Sequence, residues 1–447
     1  MTHRYLFVVW DGGGTVPPVM GLAQRLIRRG HHVTVLADAI TEADVRAAGA
    51  AFVPFTEAPS RTGRGRDDDP VKDWETSSPA EMIARMRDRL MCGPAARYAR
   101  DVAAEIARGH YDAVASEGMA IGTLIAAEAS GLPHAALWPI FDIRPIEGRP
   151  PVGPGFLPAT NILERWRDRL LTAFFMRVMG KGLAPINEAR TSLGLPPIAH
   201  PFDQYARADR SLLMTSRHFD FPGPMLPNMR YVGPQLEDPA WAQPWTPPAG
   251  HDPLVLATLG STFQDQEGVY RKLIEALGAL RVRGVVTLGK VFPPSAFASP
   301  ANVQTVESAP HGAIFPHAAL AVIHGGHGTT TKALAAGLPL VVVPLGRDQL
   351  DNAARVVHAG AGVMVKPTAS VARMRDAIAR VLGDPAYRLA AQRLAEAMRV
   401  EAEGDPAVQE MEALPGLRAA SRMQAPGTDA ASSRPTPPLT PRVARPS

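Results

Sequence analysis

His324-Gly325-Gly326-His327-Gly328-Thr329-Thr330-Thr331 is the stretch whose reading decides the fold. The apolar run 318–323 before it has the composition of a buried parallel strand, and residues 331–336 after it suit a helix. A strand, a glycine turn and a helix start, in that order, build an anion site. Glycine lets the backbone approach the ligand, and the first N–H groups of the helix point at it with the positive end of the dipole. Thr329 and Thr330 add hydroxyl groups, and His324 and His327 add imidazole N–H groups. Two other phosphate motifs are excluded: no lysine falls where a P-loop needs one, and Gly-x-Gly-x-x-Gly is not matched. A second apolar run, 339–345, leads to Asp348-Gln349, with Asn352 one turn further on. A carboxylate and an amide then stand at the C-terminal end of a strand, the edge where open α/β sheets bind ligands. Beside a diphosphate, that pair suits the hydroxyl groups of a sugar.

Outward from this stretch the chain alternates strands and helices. The run 5–10 ends in Asp11-Gly12-Gly13-Gly14-Thr15, helical periodicity follows to Arg29, Gly30 signals a C-cap, and 32–36 is a further strand. Residues 111–115 read as a strand and 118–130 as a helix ended by Gly131-Leu132-Pro133. The mixed Arg, Asp, Ser and Thr run 59–79 reads as a mobile loop over a cleft, or as a solvated surface insertion. Residues 161–183 form a helix with Ile162, Leu163, Trp166, Leu170, Phe174 and Val178 at helical spacing, interrupted by arginines. Packing on its own domain, an acceptor surface and a peripheral membrane contact all remain open for it. The division expected is 1–236 for a first domain, 237–252 for a Pro- and Trp-rich linker, 253–422 for a second domain, and 423–447 for a disordered tail.

Composition narrows the function. A chain of 447 residues is long enough for two cores, and 46% apolar with 20% charged residues describes an ordinary folded protein. A net charge of +4, without a basic stripe interleaved with aromatics, argues against a nucleic-acid partner. A lone cysteine, Cys92, and no stretch laid out as a signal peptide or apolar span place the protein in the cytoplasm as an expectation.

The 324–352 stretch resembles the donor-binding signature of the UDP-glycosyltransferase superfamily: His-x-Gly, a small-residue pair, Ala-Leu, Gly-x-Pro and Asp-Gln, here at His324, Gly326, Gly328-Thr329, Ala333-Leu334, Gly337-Leu338-Pro339 and Asp348-Gln349. Gly14-Thr15-Val16-Pro17-Pro18 with Arg29-Gly30-His31-His32-Val33-Thr34 resembles the superfamily's opening, and Gly260-Ser261-Thr262 its second phosphate-facing loop. The resemblance implies a GT-B fold, an α/β architecture of two Rossmann-like domains whose parallel sheets face across a cleft. It also implies a transferase that needs neither cofactor nor metal. A UDP-, TDP- or GDP-sugar would bind the second domain and a small lipophilic acceptor the first, with inversion at the anomeric carbon. Donor contacts fall on Gly260, Ser261, Thr262, His311, His324, Gly326, Gly328, Thr329, Thr330, Asp348 and Gln349.

Three positions depart from the family pattern. Thr15 stands where the family has its basic histidine, and Glu117 where it has the aspartate that orients it. A threonine is no base at neutral pH, so the expected base is Glu117 or Asp11, the carboxylate on the first glycine turn. Asp11 reads equally as a turn residue bonded to its own backbone, and Glu117 as a helix N-terminal acid. Lys332 replaces a glutamate that binds ribose, and it can only contact a phosphate or turn away. Ser308-Ala309-Pro310-His311 replaces a Trp-x-Pro-Gln that flanks the base, so the choice among uracil, thymine and guanine stays open. A binding protein that has lost catalysis and a sugar-nucleotide epimerase are the alternatives.

Overall fold

Short apolar runs with both faces covered favour parallel strands, and such strands make up both sheets of this protein. The computed structural model describes residues 1–63, 65–238 and 245–424. The first sheet contains β1 (Arg4–Val9), β2 (His32–Ala37), β3 (Ala51–Pro54), β4 (Ala113–Glu117), β5 (His134–Trp138), β6 (Arg210–Leu213) and β7 (Met229–Tyr231). Their order is β3-β2-β1-β4-β5-β6-β7, all parallel. The second contains β8 (Leu254–Thr258), β9 (Arg283–Thr287), β10 (Val303–Val306), β11 (Ala318–Ile323), β12 (Leu340–Val342) and β13 (Gly362–Met364), in the order β10-β9-β8-β11-β12-β13. Each sheet reverses its winding once, between β1 and β4 and between β8 and β11. Ligand crevices open at such switch points. Thr258 pairs with Ile323, so β8 and β11 end level and their loops emerge side by side.

Alternation along β1 divides the first core. Tyr5, Phe7 and Val9 face the helix Val16–Arg28, while Leu6 and Val8 face the helix Ala95–Arg108. The second sheet is buried by equivalent clusters on its two faces. The expected 253–422 division fails at its end: the helix Pro406–Gln424 returns to the first domain. Its Ala407, Val408, Met411 and Leu414 join the core of β1, and Tyr5 Oη donates to Met411 O at 3.1 Å. An apolar helix face is buried wherever the preceding turn delivers it, and here the turn Gly404-Asp405 carries it across.

Of the expected linker, 239–244 lie outside the described residues, as do 425–447 of the expected tail. The linker's described start is fastened: Glu237 pairs with Arg25, and Asp238 Oδ2 accepts from Gly312 N at 2.8 Å. The run 59–79 is anchored instead of hanging free. It makes two short 3-10 turns, and its own Asp69 and Asp73 are buried. Among the described residues, no helix is long and apolar enough to cross a membrane.

Candidate active site

Three loops converge at the second sheet's switch point. After β8 the backbone turns through Gly260 at φ +93°, a left-handed value that glycine adopts without strain. After β11, Gly326 is the N-cap of the helix His327–Ala335, which starts four residues earlier than the sequence suggested. His324 is wedged between them: a Cβ on Gly260 would lie 3.0 Å from its Nε2, and one on Gly326 only 2.5 Å away. These two glycines are therefore the room the imidazole occupies. Around His324 opens a cavity of about 180 Å³ that Ser261, Thr262, Thr329 and Asp348 also line. From the first domain, Gly12–Pro18, Pro139 and Ile140 close it.

Gly260, Ser261, Thr262, His311, His324, Gly326, Gly328, Thr329, Asp348 and Gln349 all border this one cavity, so the expected donor contacts are gathered except one. Thr330 is fully buried, and its hydroxyl donates to Gly326 O at 2.9 Å. It secures the first helical turn and cannot reach a phosphate. Gln349 is present but spent. Its Oε1 accepts from Leu345 N and Gly346 N at 2.7 and 3.1 Å, and its Nε2 donates to Gln264 Oε1 at 2.8 Å. With both ends of the amide committed, Gln349 shapes the loop, and Asp348 alone remains for a hydroxyl. Asp348 accepts from Asn352 Nδ2 at 2.7 Å, and burial raises its pKa.

Burial also decides the charge of the histidines. His311, His324 and His327 are each pushed down to about 4, so all three are neutral at pH 7. Asn352 Nδ2 donates to Gly325 O and Asp348 Oδ2, which leaves its Oδ1 to accept from His327 Nδ1–H at 2.9 Å. His327 Nε2 then carries a lone pair, and the N–H expected to serve a phosphate is already used. Lys332 turns to the interdomain segment, where Nζ donates to Glu237 O and lies 3.3 Å from Asp238 Oδ1. His311 Nε2 approaches Thr287 Oγ1 at 3.4 Å on the cavity's far wall.

The first sheet ends differently. Thr15 borders the cavity, but its hydroxyl donates to Trp10 O at 2.9 Å and accepts from Gly12 N at 3.0 Å, so it braces the turn. Asp11 is fully buried behind that turn. Its Oδ1 accepts from Gly13 N at 2.7 Å, and its Oδ2 is buried without a partner. This is the turn-residue geometry. Glu117 is also buried, at the end of β4, where its Oε2 accepts from Met119 N at 3.0 Å. Desolvation lifts its pKa to about 8, which keeps it protonated at neutral pH. Neither carboxylate is on the cavity wall.

Arg347 was not among the expected site residues. It borders the cavity immediately before Asp348, at φ +54°, and its guanidinium pairs with Asp69 and lies 3.3 Å from Asp73. Asp73 Oδ2 in turn accepts from Gln264 Nε2 at 3.0 Å. The segment around Asp69 and Asp73 is thereby clasped to the second domain. Along the helix Gln349–His358 the same grip continues at four-residue spacing: Asp351 accepts from Gly153 N and Gly155 N, and Arg355 pairs with Asp220. Adjacency to Asp348-Gln349 was the only sequence signal for Arg347, because its partners lie more than 270 residues away.

Residues 271–414 match the family model of the erythromycin biosynthesis protein CIII-like C-terminal domain. The chain is 31% identical over 406 residues to 4'-demethylrebeccamycin synthase of Lentzea aerocolonigenes, covering 88% of this chain and 95% of that one. It is 28% identical over 430 residues to O-mycaminosyltylonolide 6-deoxyallosyltransferase of Streptomyces fradiae, with 89% and 94% covered. The fold is shared with the glycosyltransferase of kitacinnamycin at a TM-score of 0.73 and 23% identity, covering 92% of this chain and 99% of that one. Glycosyltransferase VinC in complex with dTDP follows the same fold at a TM-score of 0.63 and 20% identity, with 94% and 100% covered. With its two parallel-sheet domains and its glycine-cradled histidine, the chain belongs to the UDP-glycosyltransferase superfamily, as a GT-B glycosyltransferase of the bacterial natural-product type.

Proposed function

We propose that this glycosyltransferase moves a sugar from a nucleotide diphosphate sugar to a hydroxyl group of a small lipophilic acceptor, with inversion at the anomeric carbon and without a metal ion. The observation that carries the reading is His324, held between Gly260 and Gly326 at a helix N-terminus, with Ser261, Thr262 and Thr329 around the same cavity. Uncharged and backbone donors of this kind stabilise the charge that grows on a leaving diphosphate. Asp348 would hold a sugar hydroxyl. The dTDP bound by VinC supports a nucleoside diphosphate as the leaving group here, and thymine is the base we favour. His311 is the base-side contact on the far wall.

The acceptor would enter from the first domain, past Pro139 and Ile140. Its proton goes to Asp11, whose free Oδ2 sits one glycine turn behind the cavity, or is lost through the acceptor's own acidity when that acceptor is a phenol. Glu117 gives up its place as base, because its carboxyl already holds a proton at pH 7 and cannot take up the acceptor's. We place the enzyme in the cytoplasm, where buried Cys92 stays a thiol.

The test is incubation with TDP-, UDP- and GDP-glucose, with and without a phenolic acceptor, in EDTA. Nucleoside diphosphate release that depends on the acceptor, with product of inverted configuration, supports the reading. Donor binding without turnover would mean a binding protein, and sugar conversion without acceptor an epimerase. Activity restored only by magnesium or manganese would remove the metal-independent part.

A further inference from the structure

The helix Ile162–Gly180 buries Asp168 and Met179 and leaves a row of large apolar side chains exposed. Leu163 is 77% exposed, Trp166 55%, Leu170 66% and Phe174 47%. Spacings of three, four and four residues set these side chains in one ridge along the helix. Ile162, 61% exposed, extends it at the N-terminal end. Isolated exposed leucines are ordinary, but a continuous ridge of this kind marks a surface that docks.

Charge identifies what docks. Arg177 and Lys181, three and then four residues beyond Phe174, continue the same line and are exposed, Arg169 is exposed on its flank, and none of the three is paired to a carboxylate among the described residues. Arg169 lies over the Trp166 ring at 5.7 Å. The helix's two acids face elsewhere: Glu164 caps Thr160 at the N-terminus, and Asp168 is buried against Arg167. A second copy of the chain is a poor occupant, because a two-fold contact would set these cations against their own duplicates with no acid between them. An anionic lipid surface complements both features at once. Apolar side chains enter the acyl boundary while the arginines and lysine extend to the headgroups.

We propose that this helix docks the enzyme peripherally on an anionic membrane surface, lying in the interface with the Leu163–Phe174 ridge inserted. The same helix supplies Arg165, Arg169 and Ala173 to a second open cavity of about 720 Å³ that Ile143 and Ile146 also line. Docking would therefore hold that cavity at the lipid boundary. The inference does not depend on which sugar or acceptor is used.

The experiment is co-sedimentation of the full chain with phosphatidylcholine vesicles and with vesicles containing phosphatidylglycerol, alongside Leu163→Ser/Leu170→Ser and Arg169→Gln/Arg177→Gln. The wild type should partition onto the anionic vesicles and not onto the neutral ones, less so at high salt. The arginine pair should lower partitioning about 30-fold, from about 1 kcal/mol per basic residue near an anionic surface. The leucine pair should lower it at least tenfold. Thermal stabilisation by nucleoside diphosphate should be unchanged in both, which separates a lost surface from a lost fold. Trp166 emission should shift to the blue on anionic vesicles, judged against Trp166→Phe. Absence of wild-type binding, binding indifferent to both double variants, or a dimer in light scattering that Leu163→Ser/Leu170→Ser dissolves would each overturn the proposal.

Discussion

The two sheets reverse their winding at equivalent places and reach the same cleft, yet their edges end in opposite ways. After β8 and β11, glycines hold the backbone apart and leave a cavity that a histidine, hydroxyl groups and helical N–H groups surround. After β1 and β4, Asp11 and Glu117 are sealed beneath the surface, and a Cβ on Gly118 would strike Trp138 at 2.8 Å. Topology provides a crevice at both places. What occupies it depends on the few residues after each strand. The second edge is open and polar with neutral histidines, and the first buries its carboxylates behind the turns that end its strands.

The largest effect we expect tests whether the two edges are held together by the clasp. Replacing Arg347 with Ala leaves Asp69 and Asp73 buried without their cation. Breaking a buried pair from one side costs about 3–5 kcal/mol. Urea unfolding should show a loss of that order, and a loss below about 1 kcal/mol would mean that the clasp is not formed in solution.

Next comes the glycine cradle. Gly326→Val should reduce nucleoside diphosphate affinity by about 100-fold or more, because the new Cβ claims the place of His324 Nε2 and no compensating group replaces the lost charge-assisted contacts. Gly14→Ala, on the first edge, meets nothing within 4 Å and should leave affinity within about threefold. Equal tolerance at both positions, read by calorimetric titration, would erase the contrast between the edges. His324→Ala should weaken binding by about tenfold, from a hydrogen bond to a charged group of roughly 1.5–3 kcal/mol. Unchanged affinity in that variant would take His324 out of the donor site.

Legibility in the sequence followed the range of the interaction. The strand before His324 and the glycines after it are local signals, and so are the strand of Leu254–Thr258 and its Gly260 turn, so the fold and the gathering of most of these residues around one cavity could be read directly. What failed was set by partners far along the chain. Gln349 looks free in sequence but answers to Gln264, and Lys332 to Glu237 and Asp238. Thr330 was lost to a competition within one helical turn, where a threonine hydroxyl either faces a ligand or bonds back to its own helix. The helix Pro406–Gln424 shows an apolar face, but periodicity says only that the face is buried and not which domain buries it. Arg347 needed two aspartates from a segment that composition alone marks as loose.

The last expected effect separates the edges by the sign of their pH dependence. His311, His324 and His327 hold no proton in the native state until about pH 4, whereas unfolded histidine protonates near 6.5. The unfolded chain takes up those protons first, so the second edge loses stability as pH falls from about 6.5 to about 4. Glu117 acts in the opposite sense. Its native carboxyl keeps its proton to about pH 8, and the unfolded one releases it near the ordinary 4.5, so native stability falls as pH rises through that window. Glu117→Gln keeps the shape and removes the titration. The stability difference between variant and wild type should therefore grow in the variant's favour from pH 5 to pH 8, with a slope of at most about 1.4 kcal/mol per pH unit for one proton. Urea midpoints measured across that range decide it. A difference that stays flat would mean that Glu117 is ionised in the folded protein, that water reaches the end of β4, and that the first edge is as open as the second.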